Sequence, residues 1–210
     1  MKSIHFNHKT AVIAALIIGL IGAIAAGNRT AIKNRESEEE IQQGIANEIL
    51  RFHVLANSDT ESDQKLKLQV KTEVIEYLED ILADSHSLEE TKESVLRHMD
   101  GIVKEANQTI QSEGYAYPVT AKITKTYFPQ KTYGDCTFPA GEYEALQIQI
   151  GEAQGKNWWC VLYPSLCFID ATHGIVTEEK KEELKNLLTE EEFNTVMKNP
   201  DVKISFRWFN

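Results

Sequence analysis

LRFHVLANSDTESDQKLKLQVK, residues 50–71, reads as a strand, a turn and the opening of a helix. Leu50, Phe52, Val54 and Ala56 alternate with Arg51, His53, Leu55 and Asn57, so a strand puts the first set on one face and the second on the other. Asn57-Ser58-Asp59 has the residue types of a turn. Thr60 and Asp63 are spaced to cap a helix that runs to about Leu82.

That helix has an unusual face. At about 100° per residue from Leu66, the positions Val70, Ile81, Val74, Leu78, Leu82, Ile75 and Leu68 cover an arc about 200° wide. Lys67, Lys71 and Gln64 fall inside the arc, while Lys65, Glu73, Glu76, Glu79 and Asp80 form the solvated face opposite. A lysine in an apolar arc needs a reason, because burying an unpaired charge is costly. In one reading the helix overhangs the core, the lysines snorkel, and Asp63 pairs with Lys67 one turn on. In the other, Lys67 and Lys71 meet the strand face bearing His53, or the turn at Asn57 and Asp59, as one polar cluster beside a helix N-terminus.

Outward from this block the order of elements follows by the same rules. Upstream, Ser37 and Glu40 fit a capping box, and Ile41, Ile45 and Ile49 recur at helical spacing. Downstream, Ser87 and Glu90 form a second box for a helix to about Ile110, and Gly114 ends that stretch. Val119, Ala121 and Ile123, then Leu146, Ile148 and Ile150, alternate as strands. Trp158–Tyr163 is apolar nearly throughout, which predicts a central strand, with Trp158 and Trp159 on opposite faces. Helices follow over Glu178–Leu188 and from Thr189, capped by Glu192. Val202, Ile204, Phe206 and Trp208 predict a final strand. The order α-β-α-α-β-β-β-α-α-β implies one α+β domain with helices packed on a largely antiparallel sheet.

The N-terminus reads as targeting. Met1–Thr10 holds two lysines and two histidines, Ala11–Ala26 has no polar side chain, and Ala23-Ile24-Ala25 offers a small-residue cleavage site. Residues 1–26 are therefore expected to be a secretory signal peptide or an uncleaved membrane anchor, residues 27–36 a linker, and residues 37–210 the exported domain. Sixteen helical residues rise about 24 Å against a hydrocarbon core of about 30 Å, which favours cleavage over anchoring. The net charge of the 210 residues is −10, and Lys2 and Lys9 are the only charges among the first 26, so the remainder is more acidic still. Such a domain is a poor nucleic-acid ligand, and any membrane attachment must come from the apolar segment.

Chemical motifs are sparse. There is no phosphate-binding glycine loop, GxSxG, HExxH or EF-hand pattern, and nothing calls for a metal or other cofactor. Cys136, Cys160 and Cys167 allow one disulfide and one leftover thiol, or an intermolecular bond. A Cys160 nucleophile would need an oriented base, and His53 and His173 are candidates only because histidines are few. An exported cysteine-dependent hydrolase acting on wall or peptide is thus the alternative; a buried or bridged Cys160 fits better.

RFHVLANSDTESDQKLKLQVK at 51–71, YGDCTFPAGEYEALQIQIG at 133–151 and NWWCVLYPSLCFID at 157–170 resemble the stage II sporulation protein R family. The resemblance covers about Ile49 to Asp170. It implies a non-enzymatic signal, exported from the forespore into the space between forespore and mother-cell membranes. There it would activate a membrane-embedded aspartic protease, stage II sporulation protein GA, that processes the sigma-E precursor. It supplies no catalytic residue. Positions matching the family pattern include Gly141, Tyr143 and Cys160. Those expected to contact the protease are Arg51, His53, Asn57, Ser58, Asp59, Asp63, Gln64, Lys67, Asn157, Trp158 and Trp159.

Overall fold

The structure, a computed structural model, describes residues 8–167 and 176–197. The chain divides into two units, Met1–Ile41 and Gln42–Asn210. The first unit consists of most of helix α1 (His8–Glu48), on which Ile18, Leu20 and Ile32 are exposed. Residues 27–36, expected as a linker, are helical, and no new helix starts at Ser37. The physical reason is composition: from Asn28 to Glu48 the segment has no proline, and glutamate, a good helix former, is its commonest residue. The expectation for Met1–Ala26 falls partly on residues 1–7, outside the described residues. Among the described residues, no helix is long and apolar enough to cross a membrane.

The second unit is α+β, as expected. Its strands are β1 (Leu50–Leu55), β2 (Val119–Phe128), β3 (Lys131–Tyr133), β4 (Cys136–Phe138), β5 (Gly141–Ile150) and β6 (Asn157–Tyr163). Four of them form a sheet ordered β2-β5-β1-β6. β1 runs parallel to β5, with His53 opposite Gln147, and antiparallel to β6, with His53 opposite Trp159. β2 runs antiparallel to β5. The short β3–β4 pair makes a hairpin of its own around Gly134.

Helices cover one face of the sheet. Leu66, Val70, Val74 and Leu78 of α2 (Glu61–Leu82) are fully buried against Phe52, Val54, Leu146 and Ile148. Val95 of α3 (Leu88–Arg97) and Ile102, Ala106 and Ile110 of α4 (Met99–Ser112) complete this core. Leu68, at the end of the predicted arc, is exposed instead.

The single helix expected from Ser87 to Ile110 is broken at His98, whose backbone N–H and ring Nδ1 both lie on the Ser94 carbonyl. Two contacts with α2 flank the break. Ser94 Oγ donates to the Ile81 carbonyl and ties α3 to the end of α2. Gly101 then lets the Tyr77 ring lie on the first turn of α4, where a β-carbon would collide with it.

β6 is an edge strand among the described residues, not the central strand expected. Its apolar run has another cause, which is that both of its faces are covered. Trp158, Cys160 and Leu162 join the helical core, while Trp159 packs on His53 and Phe128 across the sheet. Two helices close the described chain, α5 (Glu178–Leu187) capped by Thr177, and α6 (Glu190–Met197), where Thr189 and Glu192 form the expected box. The strand expected at Val202–Trp208 lies outside the described residues.

Candidate functional site

The turn after β1 is built almost wholly from hydrogen bonds. Thr60 caps α2, its side chain accepting from the Asp63 N–H. The Asp63 carboxylate, only 4% exposed, then accepts from Ser58 Oγ at 2.6 Å and from Asn57 Nδ2 at 2.8 Å. The Ser58 hydroxyl is the main cause that holds the Asp63 pKa below the usual carboxylate value, with Asn57, Tyr117 and Thr60 adding to it against the effect of burial.

The loop before β6 is tied to the same turn. Asn57 Oδ1 accepts from the Glu152 N–H at 3.0 Å, and Asp59 Oδ1 from the Lys156 N–H at 2.6 Å. The Gly155 N–H donates to the Ala56 carbonyl. A side chain at Gly155 would strike the Ser58 backbone, so the close approach of loop and turn depends on glycine there.

Lys67 explains itself in this setting. Its side chain is 5% exposed, and Nζ donates to Gln64 Oε1 at 2.7 Å and to the Lys156 carbonyl at 3.0 Å. Gln64 Nε2 in turn donates to the Ser58 carbonyl. Burial lowers the Lys67 pKa from its usual value, and nearby Asp59 opposes that shift. The polar cluster at the turn is therefore real, but Asp63 is engaged by Ser58 and Asn57 rather than by an i,i+4 pair with Lys67. Lys71 lies with its ammonium 5.5 Å from the centroid of the Trp158 ring. That indole also meets Phe52 edge-on at 5.6 Å. Asp59 is exposed; Asn57, Ser58, Gln64, Asn157, Trp158 and Trp159 are half-buried.

His53 is not part of this cluster, and neither is Arg51. Both lie on the opposite face of the sheet, and both are buried, at 1% and 0% exposure. As folded they offer almost no surface to a partner, unlike the exposed and half-buried residues of the turn. The cover comes from Phe128 and from the β3–β4 hairpin. The Arg51 guanidinium sits 4.4 Å from the Phe128 centroid, 5.0 Å from Tyr143, 5.4 Å from Phe138 and 5.8 Å from Tyr133. Nε donates to the Cys160 carbonyl and Nη2 to the Tyr133 hydroxyl, whose own pKa burial pushes up. Nη1 has no hydrogen-bond partner among the described residues.

The His53 ring stacks on Trp159 at 5.1 Å and its Nε2 lies 3.0 Å from Gln147 Nε2; its Nδ1 is likewise unpartnered. Burial, and then the Arg51 charge, lower the His53 pKa to about 4, so the ring is neutral at pH 7.

Cys160 and His53 do not form a nucleophile–base pair. Cys160 pairs with Phe52 in the sheet register and points into the helical core, whereas His53 points to the other face. Strand alternation thus puts the sheet between nucleophile and base. His173 lies outside the described residues. All three cysteines are free thiols: Cys136 packs on Met197, and burial raises its pKa to about 11. The described residues hold no cluster of three or more His, Cys, Asp or Glu that could bind a metal.

The blocks that form both clusters are those by which the chain resembles known proteins. The sequence model of the family described as Stage II sporulation protein R (spore_II_R) matches residues 46–173. Stage II sporulation protein R of Bacillus subtilis (strain 168) is 33% identical over 174 residues, covering 83% of this chain and 77% of that one. No solved structure matches significantly.

Proposed function

From the premise that this chain belongs to the stage II sporulation protein R family, and so has a role in sporulation, we propose that it is the exported signal that activates a membrane-embedded aspartic protease. The protease is of the stage II sporulation protein GA kind, and its substrate is the precursor of sigma-E. On this reading Met1–Ala26 carries the domain out of the forespore, as signal peptide or anchor, into the intermembrane space. The observation that carries the reading is the family match across most of the folded unit.

On this reading the protease docks on one tip of the domain. The tip formed by Asn57–Asp59, Gln64, Lys71 and Asn157–Trp158 is stiff before any partner arrives, because Asn57, Ser58, Asp59 and Gln64 are already cross-linked by hydrogen bonds to α2 and to the 151–156 loop. A preorganised surface with a half-buried tryptophan at its centre loses little entropy on docking. The protease would be switched by binding its active arrangement more tightly than its idle one.

The test is co-expression of the full chain with protease and precursor, following precursor cleavage. Trp158→Ala and Asp59→Ala should cut processing at least tenfold while the protein remains folded and exported. Full processing by both folded variants would remove the tip as the contact surface.

A further inference from the structure

The three cysteines leave the pairing of a bridge open in the sequence, and the fold separates them. Cys136 lies on the hairpin, with its sulfur 3.7 Å from Met197 Sδ. Cys160 and Cys167 lie together. After β6 the chain turns back at Pro164, and the Leu166 N–H closes the reversal on the Val161 carbonyl. The Cys167 thiol donates to that same oxygen at 3.0 Å, and the Cys160 thiol reaches it at 3.7 Å. Cys160 belongs to the helical core and Cys167 packs against it, so the two thiols meet at the Val161 carbonyl oxygen.

We infer that Cys160 and Cys167 are a dithiol pair that closes to an intramolecular disulfide in an oxidising compartment, while Cys136 stays reduced. The co-reactant is a low-molecular-weight disulfide. The Cys167 thiolate attacks one sulfur of it and expels one thiolate. The Cys160 thiolate then attacks the Cys167 sulfur and expels the second. Two protein thiols and one small disulfide thus become one protein disulfide and two small thiols, which take up the two protons. Cys167 attacks first because it is half-exposed and Cys160 is buried.

Burial of its sulfur, and next the neighbouring Cys160 thiol, push the Cys167 pKa well up, so the first attack is slow at neutral pH. The bond would fasten the reversal after β6 to the strand that carries Trp158, two residues from Cys160 on the same face. Only the place where the bond forms rests on the exported reading; whether it forms is a property of the fold, so the two can fail separately.

A redox titration of the purified full chain tests this. The reduced protein is equilibrated with mixtures of reduced and oxidised glutathione, alkylated, and mapped by peptide mass spectrometry. The expected product has one bridge, Cys160–Cys167, with Cys136 alkylated, and Cys136→Ser leaves the midpoint unchanged. The same bridge in guanidinium should need a glutathione mixture at least tenfold more oxidising. Cys160→Ser should instead accumulate a glutathione adduct at Cys167. A bridge involving Cys136, equal midpoints in native and denatured protein, or no bridge in the most oxidising mixture would overturn the inference.

Discussion

Strand β1 carries polar residues into two opposite kinds of surroundings. At its end, Asn57 and the residues that follow meet a helix N-terminus and a loop, and nearly every polar atom finds a partner. On its hairpin side, Arg51 and His53 meet aromatic rings, and each keeps one nitrogen without a partner among the described residues. The first cluster stabilises through hydrogen bonds that would be expensive to lose. The second holds a cation with no carboxylate against it among the described residues, where ring quadrupoles offset only part of the desolvation cost. Neighbouring polar residues in one sequence block therefore have different physical roles, and the two clusters should respond oppositely to mutation.

The largest contrast is expected at Asp63. Asp63→Ala leaves Ser58 and Asn57 without their acceptor and should cost roughly 4 kcal/mol in denaturant unfolding. The carboxylate also sets an acid limit. Its folded pKa lies below its unfolded one, so its contribution is present above the ordinary carboxylate range and is lost as pH falls through the folded value. Asp63→Asn should flatten that limb of the stability profile.

His53 should show the opposite cluster through pH. Its pKa is 6.5 when unfolded and about 4 when folded, so between those values only the unfolded chain takes up the proton. Stability should therefore fall as pH drops from 6.5 to 4, by roughly 3 kcal/mol, and His53→Gln should remove that slope. An unchanged slope would mean that the ring opens to solvent.

Arg51→Met should go the other way from Asp63→Ala, stabilising the fold by roughly 2 kcal/mol, because a buried charge with no anion against it among the described residues is replaced by an apolar chain of similar length. A strong loss of stability would show that the aromatic cage compensates the charge fully. The smallest effect belongs to Lys71→Ala, about 0.5–1 kcal/mol, the size of a partly exposed cation–π contact.

What the sequence discloses of these clusters depends on how local the cause is. The caps at Thr60, Ser87 and Thr189 are read within four residues, and all three are found. The polar cluster at the turn was legible because Lys67 and Gln64 fall in an apolar arc and so demand partners. The burial of Arg51 and His53 was not, since their cover comes from Phe128 and a hairpin about eighty residues on. Residues such as Tyr133 and Phe138 gave no signal beyond their aromatic character. The edge position of β6 was hidden for a related reason: an apolar run reports covered faces, not strand neighbours. The break at His98 was not legible because helical spacing runs straight through it: Ser94 and Gly101, seven residues apart, face the same helix, α2.

The most direct test of the signalling account is site-specific crosslinking from the full chain to the co-expressed protease. A photo-crosslinking residue would be placed in turn at exposed Asp59, at half-buried Trp158, and at Leu96 and Tyr127, which are exposed elsewhere on the domain. The account predicts adducts with the protease from Asp59 and Trp158 and none from Leu96 or Tyr127. Adducts confined to Leu96 or Tyr127 would contradict it.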